Sequence, residues 1–187
     1  MLAIVDYKAG NLTSVRNAFA ALGVEATVTR DPAEIRAAAR VVFPGVGAAG
    51  SAMENLRALG LEAPVRAAAA SGRPFLGICL GMQILFEHSE EDGGVDLLGI
   101  LPGRVRRFPD VPGFKVPEIG WNQVGGLEYY FVHSYYAELN PYTAGVTDYA
   151  GVTFTAMAKK DALWACQFHP EKSGRVGLDL LKEWLSC

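Results

Sequence analysis

Apolar positions in the first half of the chain keep two different rhythms. Leu2 to Val5, Val41-Val42-Phe43 and Pro74 to Ile78 are short runs with no polar residue, the pattern of strands buried on both faces. Between these runs, Leu12, Val15, Phe19 and Leu22, and later Met53, Leu56 and Leu59, recur three or four positions apart, as on one face of a helix. Gly23 stands where the first helix should stop, and Val24 to Thr29 reads as a second strand. Asp31-Pro32-Ala33-Glu34 predicts a helix start: Asp caps free amides, Pro suits the first helical position, and Glu can reach back to the cap. Ser51 to Glu54 repeats the capping spacing, and Pro64 to Ala70 predicts a further helix ended by Ser71-Gly72. Strand and helix signals alternating this closely predict an α/β fold, a mostly parallel sheet with helices on both faces.

The pattern changes after Glu87. Glu90-Glu91-Asp92-Gly93-Gly94 reads as a solvated loop, and Arg104-Val105-Arg106, Tyr129 to Tyr136 and Val152 to Ala158 have the β-branched or aromatic content of strands. Lys159-Lys160-Asp161 is expected to turn a hairpin into Leu163 to Phe168. The last segment, Arg175 to Leu185, predicts a helix with Leu178, Leu181 and Leu185 along one face.

Composition narrows the function. With 187 residues, half of them hydrophobic, the chain is long enough for one domain over residues 1–187 whose core needs no disulfide or metal. Seventeen basic against twenty acidic residues give a formal charge of -3, and neither sign forms a block, which argues against nucleic acid as a partner. Val41 to Met53 and Pro74 to Phe86 are interrupted by Gly and Pro and fall short of a membrane span. Cys79, Cys166 and Cys187 are odd in number and widely spaced, which fits a reducing cytoplasm and gives no ground to expect a metal or a cofactor.

Candidate chemistry begins at Gly77-Ile78-Cys79-Leu80-Gly81, between a buried strand and a helical run containing Met82, Leu85 and Phe86. This is a G-x-nucleophile-x-G elbow with Cys at its centre. It would present the sulfur at a helix amino terminus, where free amides favour thiolate over thiol. The competing reading is a small buried cysteine in an apolar strand. Gln167-Phe168-His169-Pro170-Glu171 closes the last strand, and Pro170 biases His169 toward the extended region, where residues two apart project to the same side. Glu171 can therefore orient His169, and with Cys79 the three are the minimal parts for acyl transfer through a thioester. A capped strand end with a solvated His and Glu is the alternative. Pro44-Gly45-Val46-Gly47-Ala48-Ala49-Gly50 is a Gly-rich turn that can offer backbone amides to an anion, without the Lys of a Walker loop.

Pro44 to Gly47, Gly77 to Gln83 and His169-Pro170-Glu171-Lys172-Ser173, in this order, resemble the triad-type (class I) glutamine amidotransferases. Asp6-Tyr7-Lys8-Ala9-Gly10-Asn11-Leu12, Gly120-Trp121-Asn122 and Tyr130 to Tyr135 are similar to the glutaminase subunits of imidazole glycerol phosphate synthases. The resemblance implies a flavodoxin-like three-layer fold and hydrolysis of L-glutamine, with ammonia passed to a (β/α)8-barrel synthase (cyclase) subunit in a heterodimer of histidine biosynthesis. It implies Cys79 as nucleophile, His169 as general base and acid, Glu171 as its orienting partner, and Gly47 and Leu80 as oxyanion donors. Gln83, Ser134 and Tyr135 match positions that hold glutamine. Asn11, Trp121, Asn122 and Lys172 match the face toward the synthase, with Trp121 as anchor and Tyr136 or Lys172 beside it.

Two features depart from the family pattern: Glu118 stands where His is usual, and Asn122 to Tyr129, with Gly125-Gly126, is short. Other functions compatible with the residues are a glutaminase feeding a different synthase, a γ-glutamyl peptidase, or a non-catalytic subunit. Trp121-Asn122 and Lys172 argue against the first two, and the complete triad against the third.

Overall fold

The computed structural model describes residues 1–8 and 10–187; Ala9, within the Asp6 to Leu12 motif, lies outside the described residues. In chain order the first half forms β1 (Leu2–Val5), α1 (Leu12–Ala21), β2 (Ala26–Thr29), α2 (Pro32–Ala37), β3 (Arg40–Gly45), α3 (Ala49–Ala58), α4 (Glu62–Ala70), β4 (Phe75–Cys79) and α5 (Leu80–Gln83). The second half forms β5 (His88–Ser89), β6 (Val95–Asp96), β7 (Arg104–Arg107), β8 (Glu118–Val124), β9 (Leu127–His133), β10 (Tyr135–Ala137), β11 (Thr143–Tyr149), β12 (Val152–Lys160), β13 (Leu163–Cys166) and α6 (Gly174–Leu185).

Five strands, in the order β2-β1-β3-β4-β13, run parallel and make one side of the large sheet, with β2 at its edge, and antiparallel β12 and β10 extend it on the other side toward β7, β5 and β6. Side chains alternate across the parallel part, as a two-residue period requires. Ala3, Val5, Val41, Phe43 and Phe75 meet Ile35 of α2, Met53 and Leu56 of α3 and Val65 of α4 on one face. Leu2, Ile4, Val42, Leu76 and Ile78 meet Phe19 of α1 and Leu181 and Trp184 of α6 on the other. The apolar runs are continuous because both faces are covered, and each large side chain buried there stabilises by roughly 1.5–3 kcal/mol.

Strand order places the chemistry. Gly45 pairs with Cys79 at the ends of β3 and β4, and Cys166 at the end of β13 pairs with Ile78. Three carboxyl-terminal strand ends therefore meet on one rim, where open α/β sheets leave a crevice.

Several local expectations are corrected. α3 starts at Ala49, two residues before the Ser51 capping signal, and no side chain caps it locally. Its first amides are bound from a distance: Ala49 N donates to Glu91 Oε2 at 2.7 Å and Gly50 N to Asp92 Oδ2 at 3.2 Å. The acidic loop is thus in part a remote helix cap rather than simply solvated. α4 also begins two residues before Pro64. Asp31 caps α2 through Ala33 N at 2.7 Å, but its own amide donates to Thr29 Oγ1 at 2.9 Å, so Glu34 does not close a capping box. α6 turns Gly177, Leu180, Leu181 and Trp184 inward, leaving Leu178 and Leu185 half-buried, because Trp184 packs edge-on against Phe19 at 5.9 Å. Tyr129 to Tyr136 is two strands broken at Ser134, in different sheets.

β8 and β9 form a separate hairpin with unbroken pairing from Glu118↔His133 to Val124↔Leu127. Gly125 and Gly126, at φ +60 and +82, supply the two left-handed residues of a type I′ turn, so the short segment closes without a longer loop. Among the described residues no helix is long and apolar enough to cross a membrane.

Candidate active site

Cys79 ends β4 and starts α5 with φ 55 and ψ -114, the strained conformation of a nucleophile elbow. The flanking glycines serve close packing rather than unusual φ. A Cβ on Gly81 would lie 1.8 Å from the Phe43 carbonyl oxygen, and one on Gly77 would lie 3.0 Å from the Gly81 oxygen. Helix α5 can then sit directly on β3, which brings Gly45 beside Cys79. Gly45 has no room for a side chain either, since its Cβ would lie 2.0 Å from the Tyr7 hydroxyl. Tyr7 is fully buried with that hydroxyl unpartnered, and burial, with the charge of Cys79 adding, pushes its phenol far up.

His169 follows β13. Its amide donates to Tyr130 O at 2.9 Å, and Ser173 Oγ donates to its carbonyl at 2.7 Å while accepting from Tyr130 N at 3.0 Å. His169 is extended as expected, but Pro170–Lys172 wind into a single 3-10 turn, and this turn brings Glu171 back. Strand alternation is therefore not how the pair forms. His169 Nδ1 meets Glu171 Oε1 at 2.8 Å with both side chains buried, leaving Nε2 for the sulfur. Burial alone would lower the imidazole; hydrogen bonds to Cys79 and Glu171, and the charges of both, outweigh it and raise His169 to about 10. Its two partners thus hold the imidazole toward its protonated form beside the sulfur.

A cleft of about 290 Å³ opens over this pair, lined among others by Gly47, Cys79, Leu80, Gln83, Ser134 and Tyr135. His169 and Lys172 also reach it. Gly47, at φ +98, holds a conformation open to glycine at little cost. Gln83 is buried, and its Nε2 donates to Tyr135 O at 2.8 Å and Gln167 Oε1 at 2.9 Å, so its own carbonyl oxygen is what remains for a ligand. Cys79, His169 and the residues expected to supply oxyanion donors and to hold substrate thus meet around one space.

Asn11, Trp121 and Asn122 do not line it. Asn11 accepts from Ser14 N at 3.3 Å as the cap of α1. Asn122 Nδ2 donates to Glu118 Oε1 at 2.8 Å and Asp148 O at 3.0 Å, which gives it a structural role within its own chain. Trp121 is 57% exposed on the outer face of β8, edge-on to Tyr130 at 5.9 Å. Tyr136 does not flank it, being buried against Phe108 at 4.9 Å.

Glu118 is buried and meets His133 Nε2 at 2.9 Å, while His133 Nδ1 donates to Tyr135 O at 2.7 Å. Both oxygens of the Glu118 carboxylate are therefore partnered, one by Asn122 and one by His133. The sequence marks Glu118 as a departure but offers no partner for it, and it gives Gln167 no role. The usable signal was polarity in apolar surroundings, since a buried amide such as Gln167 needs partners.

The other buried thiol behaves differently. Burial drives Cys166 well above its ordinary value, with Glu171 and Cys79 adding to the effect. Iodoacetamide at pH 7 should label Cys79 and exposed Cys187 and leave Cys166 untouched until the protein unfolds. Peptide mass spectrometry reads this directly, and Cys166 labelled as fast as Cys79 would contradict it.

The family profile described as Glutamine amidotransferase class-I matches residues 3–185. The chain is 50% identical to "Imidazole glycerol phosphate synthase subunit HisH" of Desulfovibrio desulfuricans over 97% of this chain and 92% of that protein. It is 48% identical to the protein of the same name from Methanothermobacter thermautotrophicus over 99% and 98%. A crystal structure described as glutamine amidotransferase superposes with a TM-score of 0.76 at 21% identity, covering 98% of this chain and 97% of its own. A glutamine amidotransferase from Thermotoga maritima gives 0.63 at 16% identity, covering 99% and 83%. At those identities the two structures speak for the fold alone.

Proposed function

The chain belongs to the class-I glutamine amidotransferases, and from that premise we propose that it is the glutaminase subunit of an imidazole glycerol phosphate synthase. The single observation that carries the chemistry is Cys79 at a strained elbow beside an imidazole that Glu171 holds at 2.8 Å. The proposed substrate is L-glutamine, and the products are glutamate and ammonia.

In this reading the Cys79 thiolate attacks the side-chain amide carbon of glutamine, and the carbonyl electron pair moves onto oxygen. The Gly47 and Leu80 amides are assigned to that oxyanion, where one such donor is worth roughly 10²–10³ in rate. Collapse breaks the C–N bond as His169 gives its proton to the leaving nitrogen, releasing ammonia and leaving a γ-glutamyl thioester. Water then attacks, His169 takes its proton, and breakage of the C–S bond returns the electron pair to sulfur. Gln83, Ser134 and Tyr135 are assigned to hold the glutamine. No cofactor is required by these steps.

The proposed partner is a (β/α)8-barrel synthase subunit, and the reason for a partner is chemical: ammonia that escapes into bulk water is protonated and loses its nucleophilic lone pair. The docking face must therefore lie over the cleft. Ile119 and Trp121 are exposed large residues on the outer face of β8, and a rigid aromatic is the residue type that most often dominates an interface. Tyr130, which Trp121 touches, also holds the His169 amide, so the anchor sits one residue from the imidazole's support. Lys172, at the mouth of the cleft, and Asn11 are assigned to the same face.

Ammonia release measured with and without the synthase subunit tests the proposal. Trp121→Ala should weaken association by about 2 kcal/mol or more, roughly thirtyfold. Glutamine should then be consumed without matching synthase product, while hydrolysis at Cys79 continues. A Trp121→Ala protein that bound the synthase as tightly as the parent, with one product per glutamine, would remove this face from consideration.

A further inference from the structure

Two buried glutamines beside the triad have bonds whose direction can be deduced. Tyr135's backbone carbonyl can only accept, so the Gln83 atom 2.8 Å from it is the amide nitrogen. That same nitrogen lies 2.9 Å from Gln167, whose facing atom must therefore be Oε1. Gln167 consequently turns Nε2 the other way, to 3.7 Å from Cys79 Sγ. This order follows from the chemistry of the fixed carbonyl and holds whichever way either amide is drawn. The fixed end is itself secured, since Tyr135 O also accepts from His133, which Glu118 holds.

The sulfur's other polar neighbours leave room for such a donor. Val132 O, 3.8 Å away, can only accept; it suits a thiol and opposes a thiolate. Gln167 is fully buried, so its N–H is shielded from water and meets the sulfur in a medium where hydrogen bonds to charge are strong.

We propose that Gln167 is a fourth catalytic residue, whose Nε2–H donates to the Cys79 sulfur, and that Gln83 is the positioning residue that turns it. The inference rests on Cys79 being the nucleophile. The donor favours thiolate in the free enzyme. Once the thioester forms, the sulfur carries no charge and the bond weakens. When the C–S bond of the second tetrahedral adduct breaks and the electron pair returns to sulfur, the N–H and the protonated His169 meet it again. Gln167 thereby acts on both the attacking and the leaving sulfur.

Proton–nitrogen NMR of the parent and of Cys79→Ala tests the contact without altering Gln167. The Gln167 side-chain amide should move with pH in step with thiolate absorbance near 240 nm in the parent, and that step should be missing in Cys79→Ala, where only the titration of His169 remains. Gln167→Met should raise the midpoint of thiolate absorbance by about one pH unit, a tenfold loss of thiolate below the midpoint. It should lower kcat about tenfold with KM within about twofold, the split expected of a group acting on the sulfur. A purely structural residue would lower the melting temperature and leave the midpoint in place. An unmoved midpoint in folded Gln167→Met overturns the proposal, as does an amide signal indifferent to Cys79 ionisation. Failure of the underlying glutaminase reading looks different, as ammonia release that survives in Cys79→Ala.

Discussion

Cys79→Ala is expected to lower ammonia release by about 10⁴-fold or more, to the level of the uncatalysed background. The melting temperature should stay within a few degrees of the parent. Both halves follow from the elbow. The backbone at residue 79 is held at φ 55 by packing of α5 onto β3, and alanine carries the same Cβ as cysteine, so the strain is unchanged. Only the sulfur is lost, from a position at the edge of a water-accessible cleft. His169→Ala should cost nearly as much, because members of a triad act as a unit and their losses do not add. Glu171→Gln should be the mildest, since its remaining carbonyl can still accept from His169 Nδ1 at the 2.8 Å contact. A steady-state ammonia assay with circular dichroism on the same preparations reads all three; turnover retained in Cys79→Ala would sink the assignment.

Gly81→Ala should strongly destabilise the fold. The added Cβ would stand 1.8 Å from the Phe43 carbonyl oxygen and 2.8 Å from its carbon, both backbone atoms of a central strand. Neither β3 nor α5 can move without opening the sheet at the catalytic rim. Overpacking of this kind costs about 3 kcal/mol or more, a large share of the stability of a domain this size. Gly60→Ala is the control. Its Cβ would meet nothing within 4 Å, so only the strain of φ +66 remains, about 1 kcal/mol. Thermal or urea unfolding should rank Gly81→Ala well below Gly60→Ala, and similar melting points would show that α5 does not press on β3 as described.

Much of the candidate site was legible because its residues lie at punctuation points of the chain. Cys79 ends a buried strand and His169 and Gly47 each follow one, and Gly and Pro mark those ends in the sequence. Their meeting on one rim follows from parallel strands, all of which end on the same side of the sheet. Glu171 was matched to His169 for the wrong local reason: strand alternation was expected, and a 3-10 turn makes the contact. Tyr136 shows the opposite failure: it is expected beside Trp121, and the fold gives it a place in the aromatic core around Phe108. Half-buried Asn122 makes bonds to Glu118 and Asp148 that its motif does not announce.

What the sequence determined alone was therefore local and periodic: strands of unbroken apolar runs, helices of three-to-four spacing, the elbow, and the order of the motifs. These depend on residues within a few positions of one another, where backbone sterics and side-chain period act directly. Only the tertiary structure decided which polar groups meet across large separations. Glu91 caps α3 across 42 positions, Gln83 turns Gln167 across 84, and Gln167 reaches Cys79 across 88. Such bonds leave no periodic trace, since any buried polar atom must find a partner and strand order alone dictates which one is near. The same is true of Glu118 and His133, fifteen positions apart, which become a matched pair only when β8 and β9 set them opposite each other.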